Sequence, residues 1–119
     1  MRWWNMLKKY WNNCLKSSMD TSVLPEFPED EFGRYRIIFS GIVQGVGFRV
    51  ELWQIAKKLG LTGFAENLPN GDVRAELQGP KNKMMYAMDY MKSIPRIHID
   101  KIKIDEIDLI DEKTFEAIY

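Results

Sequence analysis

The stretch GIVQGVGFR, Gly41 to Arg49, places three glycines ahead of an arginine, between an alternating YRIIFS and a helical VELWQIAKKLG. Glycines allow left-handed backbone angles and close approach. Successive amides in such a turn converge into an anion-binding nest. The free N–H groups and dipole of a helix that starts there favour an anion as well. Arg49 in the first turn breaks a local rule, because cations near a helix N-terminus are disfavoured. A bound dianion offsets this, and the planar guanidinium fork suits phosphate oxygens. The segment therefore reads as an oxyanion cradle made by the amides of Gln44, Gly45, Val46, Gly47, Phe48 and Arg49. On spacing alone, a plain glycine turn with a surface arginine fits about as well. The Walker pattern is absent, as no Gly-Lys-Ser/Thr follows, and so is a GxGxxG dinucleotide fingerprint. No histidine, cysteine or serine accompanies the motif, so a nucleophile–base pair is not visible.

The surrounding elements decide what the cradle can face. Tyr35 to Val43 is β-branched, aromatic and roughly alternating, as a strand requires. Phe48, Leu52, Ile55, Ala56 and Leu59 form one helical face, and Gly60 suits the left-handed position that closes such a helix, with Leu61 folding back onto it. LTGFAENL reads as a second strand, PNGD as a turn with Asn70-Gly71 as a hairpin signal, and VRAELQG as a third strand. Pro80 suits a helix N-terminus, after which Met84, Met88 and Met91 share one face as core filler. IHIDKIKIDEIDLI carries isoleucines at 97, 99, 102, 104 and 107, and Asp100-Lys101 breaks their phase, which predicts a bulge. TFEAIY forms a short last strand. The order β-α-β-β-α-β is the ferredoxin-like split βαβ plan: an α+β sandwich with two helices on one face of an antiparallel sheet and a short C-terminal strand. Right-handed crossovers put the first two strands parallel with the third between them. The end of the second strand, at Asn67, then lies about 10 Å from the glycine loop, two strand spacings away. Both can reach one small ligand.

At 119 residues the chain makes one domain with an appendage. Lysine plus arginine and aspartate plus glutamate number 17 each, so no general electrostatic footprint for nucleic acid exists. Cys14 is the only cysteine and His98 the only histidine, which leaves no internal disulfide and no ligand set for structural zinc. No apolar run approaches the roughly 18 residues of a membrane span. Charge is uneven: a basic, acid-poor start precedes the acidic piece that holds Pro25 and Pro28. The division expected is an extension at 1–19, an acidic linker at 20–33 and a folded domain at 34–119.

GIVQGVGFR, followed by LGLTGFAENLPNGDV and LQGP and by the FEAIY ending, resembles the acylphosphatase family from about Tyr35 to Tyr119. The resemblance implies hydrolysis of a carboxyl-phosphate bond without metal or other cofactor, by direct attack of water. It also implies that the loop amides and Arg49 bind phosphate and that Asn67 positions the water. Phe64 stands where the family often has tryptophan, and Asn70 where it often has aspartate; neither belongs to the implied site. A carboxylate leaves without needing a proton, so the missing acid–base pair is no obstacle, and catalysis reduces to positioning and charge stabilisation. Two alternatives stand beside this. One is a non-catalytic ferredoxin-like binding module such as an RNA-binding domain, against which VRAELQG counts because it has no aromatic. The other is an acylphosphatase-like domain acting on carbamoyl phosphate within a larger hydrogenase-maturation protein.

His98 falls in the fourth strand and reads as structural or exposed. Trp53 falls off the helical face and borders the site or packs at its edge; Lys57 and Lys58 read as solvated. The extension MRWWNMLKKYWNNCLK repeats Trp4, Leu7, Trp11 and Cys14 at helical spacing, a basic amphipathic pattern. It leaves open membrane contact, contact with another protein, packing on the open sheet face, or a weakly ordered extension upstream of a start at Met19. A cytoplasmic monomer acting on a small-molecule acyl phosphate, with no nucleic-acid partner, completes the expectation.

Overall fold

The computed structural model describes residues 20–119; the amphipathic pattern assigned to residues 1–19 lies outside them. The elements run β1 (Phe32–Ile42), α1 (Phe48–Leu59), β2 (Thr62–Asn67), β3 (Val73–Pro80), α2 (Lys81–Ser93), β4 (His98–Ile107) and β5 (Phe115–Ile118). They build one sheet of order β4-β1-β3-β2-β5. The first four strands pair antiparallel, as the ferredoxin-like order predicts, while β5 joins β2 in parallel, so the sheet is mixed.

Alternation sorts the strands into two faces. Tyr35, Ile37 and Phe39 of β1 are buried with Val73, Ala75 and Leu77 of β3. Onto this face pack Leu52, Ile55, Ala56 and Leu59 of α1, and Met84, Met88 and Met91 of α2. The predicted helical faces are therefore the faces that build the core. In β4 the register with β1 shifts between Ser40 and Gly41, so that Ile99 faces Gly41 and Ile102 faces Phe39. The extra residue is Asp100, and it returns Ile97 and Ile99 to the face shared by Ile102 and Ile104. The bulge demands Gly41, whose φ is +130° and where a Cβ would lie 2.1 Å from the His98 carbonyl oxygen.

The opposite face carries a charged cluster. Arg34 is only 2% exposed and is held by Glu76 at 3.0 Å and Glu112 at 2.7 Å. Burial by itself would lower the Arg34 pKa; the bonds to Glu112 and Glu76 outweigh it and hold the pKa above its ordinary value. Glu112 belongs to the segment joining β4 to β5, the two opposite edges of the sheet. That segment is pinned over the sheet by Gln78, which exchanges two hydrogen bonds with the backbone of Ile110.

Residues 20–33 do more than connect. The Phe27 ring meets Tyr86 edge-on at 5.5 Å. The Glu31 carbonyl accepts from the Lys81 amide, and the Asp30 carboxylate accepts from the Asn82 amide at 2.9 Å. Pro80 precedes α2 and offers no side-chain cap, so Asp30 supplies the missing acceptor for the first turn from outside the helix. β1 begins at Phe32, ahead of the Tyr35 start expected from its alternation.

Candidate active site

The glycine loop runs from the end of β1 into α1. Gly45 and Gly47 have φ of +72° and +76°, a region where a side chain is strained. Gly47 is the last residue before α1, and its carbonyl accepts the first helical bond, from Glu51, at 3.1 Å. The N–H groups of the first helical residues have no intrahelical acceptor by geometry. Phe48 anchors the turn below, its ring 4.9 Å from Phe39.

Arg49 is half-buried. Its Nη1 donates to the Ile118 carbonyl at 2.7 Å, and its guanidinium carbon sits 4.1 Å from the centre of the Tyr119 ring. The C-terminal end of the chain thus offsets the cation's place at a helix N-terminus, β5 giving a carbonyl and Tyr119 a π-face. One of the five N–H donors is used in that bond.

Asn67 ends β2 and is exposed. It lines one small cleft together with Gly45, Gly47, Arg49 and Tyr119. The cleft measures about 100 Å³, well below the roughly 300–1,000 Å³ of pockets for drug-sized ligands. It suits a tetrahedral oxyanion, not a large molecule. A larger cleft of about 520 Å³ lies beside Trp53, Lys57, Leu61 and Phe115, away from the loop. Trp53 is therefore not at the cradle; its ring carries Lys57 at 5.1 Å.

Gln44 plays a part its amide alone does not describe. Its side-chain Nε2 donates to the carbonyls of Leu68 and Asp72, both at 2.8 Å, tying the glycine loop to the β2–β3 hairpin and so to Asn67. The hairpin turn itself is closed by Gly71 N–H to the Leu68 carbonyl, 3.2 Å. No non-glycine residue in the described chain has positive φ, so Asn70-Gly71 does not form the two-residue type I′ turn that the pair favours. Asn70 instead bonds the Asp72 amide and carboxylate, outside the cleft. Phe64 pairs with Glu76 on the face away from the helices.

Three further groups hold the loop from behind. Arg96, between α2 and β4, donates Nε to the Val46 carbonyl at 2.7 Å and Nη2 to Glu51 at 2.5 Å. Glu51 also accepts from the Tyr90 hydroxyl at 3.0 Å. Burial raises the Tyr90 pKa, and the bond to Glu51 raises it further. Nothing in the sequence marks Arg96 or Tyr90: an arginine after Pro95 looks like loop charge, and Glu51 looks like an ordinary first-turn acid. His98 is exposed at the start of β4.

A family model described as acylphosphatase matches residues 35–117. An acylphosphatase of Clostridium beijerinckii is 38% identical over 88 residues, spanning 72% of this chain and 98% of its own. One of Vibrio parahaemolyticus is 48% identical over 61 residues, 51% of this chain and 68% of its own. Among solved structures, the acylphosphatase of Bacillus subtilis superposes with a TM-score of 0.67 at 33% identity, over 72% of this chain and 98% of that one. Full-length HypF, in its phosphate- and nucleotide-bound form, superposes with a TM-score of 0.68 at 27% identity, but over 13% of its own length.

Proposed function

The chain belongs to the acylphosphatase family, and on that premise we propose that Arg49, Asn67 and the amides of Gln44 to Arg49 are its hydrolytic site. The protein is a hydrolase of small-molecule acyl phosphates. The observation that carries the assignment of residues is the single cleft shared by Gly45, Gly47, Arg49 and Asn67. Neither a non-catalytic binding module nor a carbamoyl phosphate domain is favoured. The relatives matched along nearly their whole length are acylphosphatases.

In this reading the phosphoryl group rests on the loop amides, with the guanidinium of Arg49 across two of its oxygens. Water, held by the Asn67 amide, attacks phosphorus in line with the leaving carboxylate. The bond from phosphorus to the carboxyl oxygen breaks, and the products are a carboxylate and inorganic phosphate. A side-chain amide is no base at neutral pH, so the proton of the attacking water passes to a phosphoryl oxygen. The donors at the cleft, arginine and backbone N–H, suit an anion and not a cation, which supports turnover without metal. A cytoplasmic monomer is part of the same reading; the lone cysteine, which leaves no internal disulfide, suits a reducing compartment. The test is hydrolysis of benzoyl phosphate in EDTA, with inorganic phosphate as competitor. The expected result is undiminished turnover with competitive inhibition. Turnover abolished by the chelator would overturn the mechanism.

A further inference from the structure

We propose that Arg96 is a positioning residue for the phosphate cradle, setting the direction in which the Gly47 amide donates. The inference rests on the site assigned above. The Val46–Gly47 peptide is planar and trans, so its carbonyl and its N–H point in opposite directions. Arg96 Nε takes the Val46 carbonyl at 2.7 Å. Fixing that carbonyl fixes the Gly47 N–H on the other side of the peptide plane. Gly47 lines the cleft, while the guanidinium lies behind it: a Cβ on Gly47 would come within 3.4 Å of Arg96 Nη2. With φ of +76° and a glycine's broad choice of angles, this peptide is free to rotate unless something holds it. The bond from Arg96 is what removes that freedom before a ligand arrives, which is preorganisation in the sense that serves anion sites.

The same guanidinium has an electrostatic task. Glu51 stands in the first turn of α1, four residues from Gly47, where an unpaired carboxylate would repel a phosphate dianion. Arg96 pairs with it through Nη2 at 2.5 Å, and Tyr90 donates to its other oxygen at 3.0 Å. Glu51 in turn orients the fork so that Nε faces Val46. Arg96 is about half exposed, so its contribution comes through this geometry and not through a buried charge.

The experiment compares wild type, Arg49→Ala, Arg96→Ala, Arg96→Gln and Arg96→Lys. It reads benzoyl phosphate kinetics, the inhibition constant for inorganic phosphate, and the Gly47 amide resonance during phosphate titration. Arg96→Ala and Arg96→Gln are expected to raise both KM and the phosphate inhibition constant about tenfold, the scale of one charge-assisted bond, with kcat changed less. The Gly47 resonance should respond to phosphate in wild type and lose that response in both. Arg96→Lys should recover part of the affinity, since an ammonium reaches one acceptor without the fork. A merely structural role would lower kcat through loss of folded enzyme and leave the phosphate constant unchanged; that result overturns the proposal. Phosphate affinity lost in Arg49→Ala but retained in Arg96→Ala and Arg96→Gln sinks this inference alone. Wild-type protein that does not bind phosphate removes the cradle, and this inference with it.

Discussion

At the level of single residues the two side chains proposed for the site differ in what they touch, and their variants should differ accordingly. Arg49 has a charge and a planar fork, and it is already oriented by the Ile118 carbonyl and the Tyr119 ring. Arg49→Ala is expected to lose phosphate affinity and turnover together, by about 2–3 kcal/mol for a charge-assisted bond. Asn67 is an exposed neutral amide at the end of β2. Asn67→Ala should lower kcat while the inhibition constant for inorganic phosphate stays near wild type. Isothermal titration with phosphate beside benzoyl phosphate kinetics separates the two. Equal loss of phosphate binding in both variants would argue against Asn67 as the group that holds water.

Among the elements, α2 depends on a segment that precedes the sheet. Its first turn lacks a cap of its own, and Asp30 and Glu31 fill the gap. Asp30→Ala should cost about 1 kcal/mol of stability, the usual value of a lost N-terminal cap. Phe27→Ala should cost about 1–2 kcal/mol through its lost contact with Tyr86. Urea unfolding measures both, and kcat/KM of the folded fraction should stay unchanged because neither residue approaches the loop. A chain cut to begin at Glu31 would lose the Phe27 contact and the Asp30 cap together, and is expected to be active but less stable than one that begins at Asp20. If that truncation left stability unchanged, the packing of residues 20–33 would be without energetic consequence.

For the molecule as a whole, two features set its response to charge. Arg34 joins β1, β3 and the segment between β4 and β5 through Glu76, Gln78 and Glu112. Arg34→Met fills the space but leaves the glutamates short of a partner. A cost of about 3 kcal/mol is expected, the low end for breaking a buried pair, because both carboxylates keep some contact with water. The second feature is alkaline. Tyr90 and Tyr86 have raised pKa values, chiefly from burial, and Lys81 is raised chiefly by its bond to Glu31. In each case the folded state binds the proton more tightly than the unfolded one. The associated stability is fully present below the unfolded values near 10 and is lost as pH rises through the folded ones. Denaturant midpoints should therefore be flat through neutral pH in respect of these groups and fall above about pH 10. The fall should be smaller in Tyr90→Phe.

The sequence by itself determined the elements, because each is written in local terms. A 3.6-residue spacing marked the face of α1, a phase break at Asp100-Lys101 marked the bulge, and three glycines before Arg49 marked the loop between β1 and α1 that we propose as the cradle. It also determined the order β-α-β-β-α-β, from which the proximity of Asn67 to the loop follows by topology alone. Only the tertiary structure decided what holds these groups in place. The grip of Gln44 on Leu68 and Asp72, of Ile118 on Arg49, and of Arg96 on Val46 joins residues separated by 24, 28, 69 and 50 positions. Such pairs leave no periodicity and no motif, since any polar side chain on a loop reads the same before the chain has folded. They exist because the sheet brings the ends of β1 and β2 together with β5 beside them, and because α2 delivers Arg96 behind the loop.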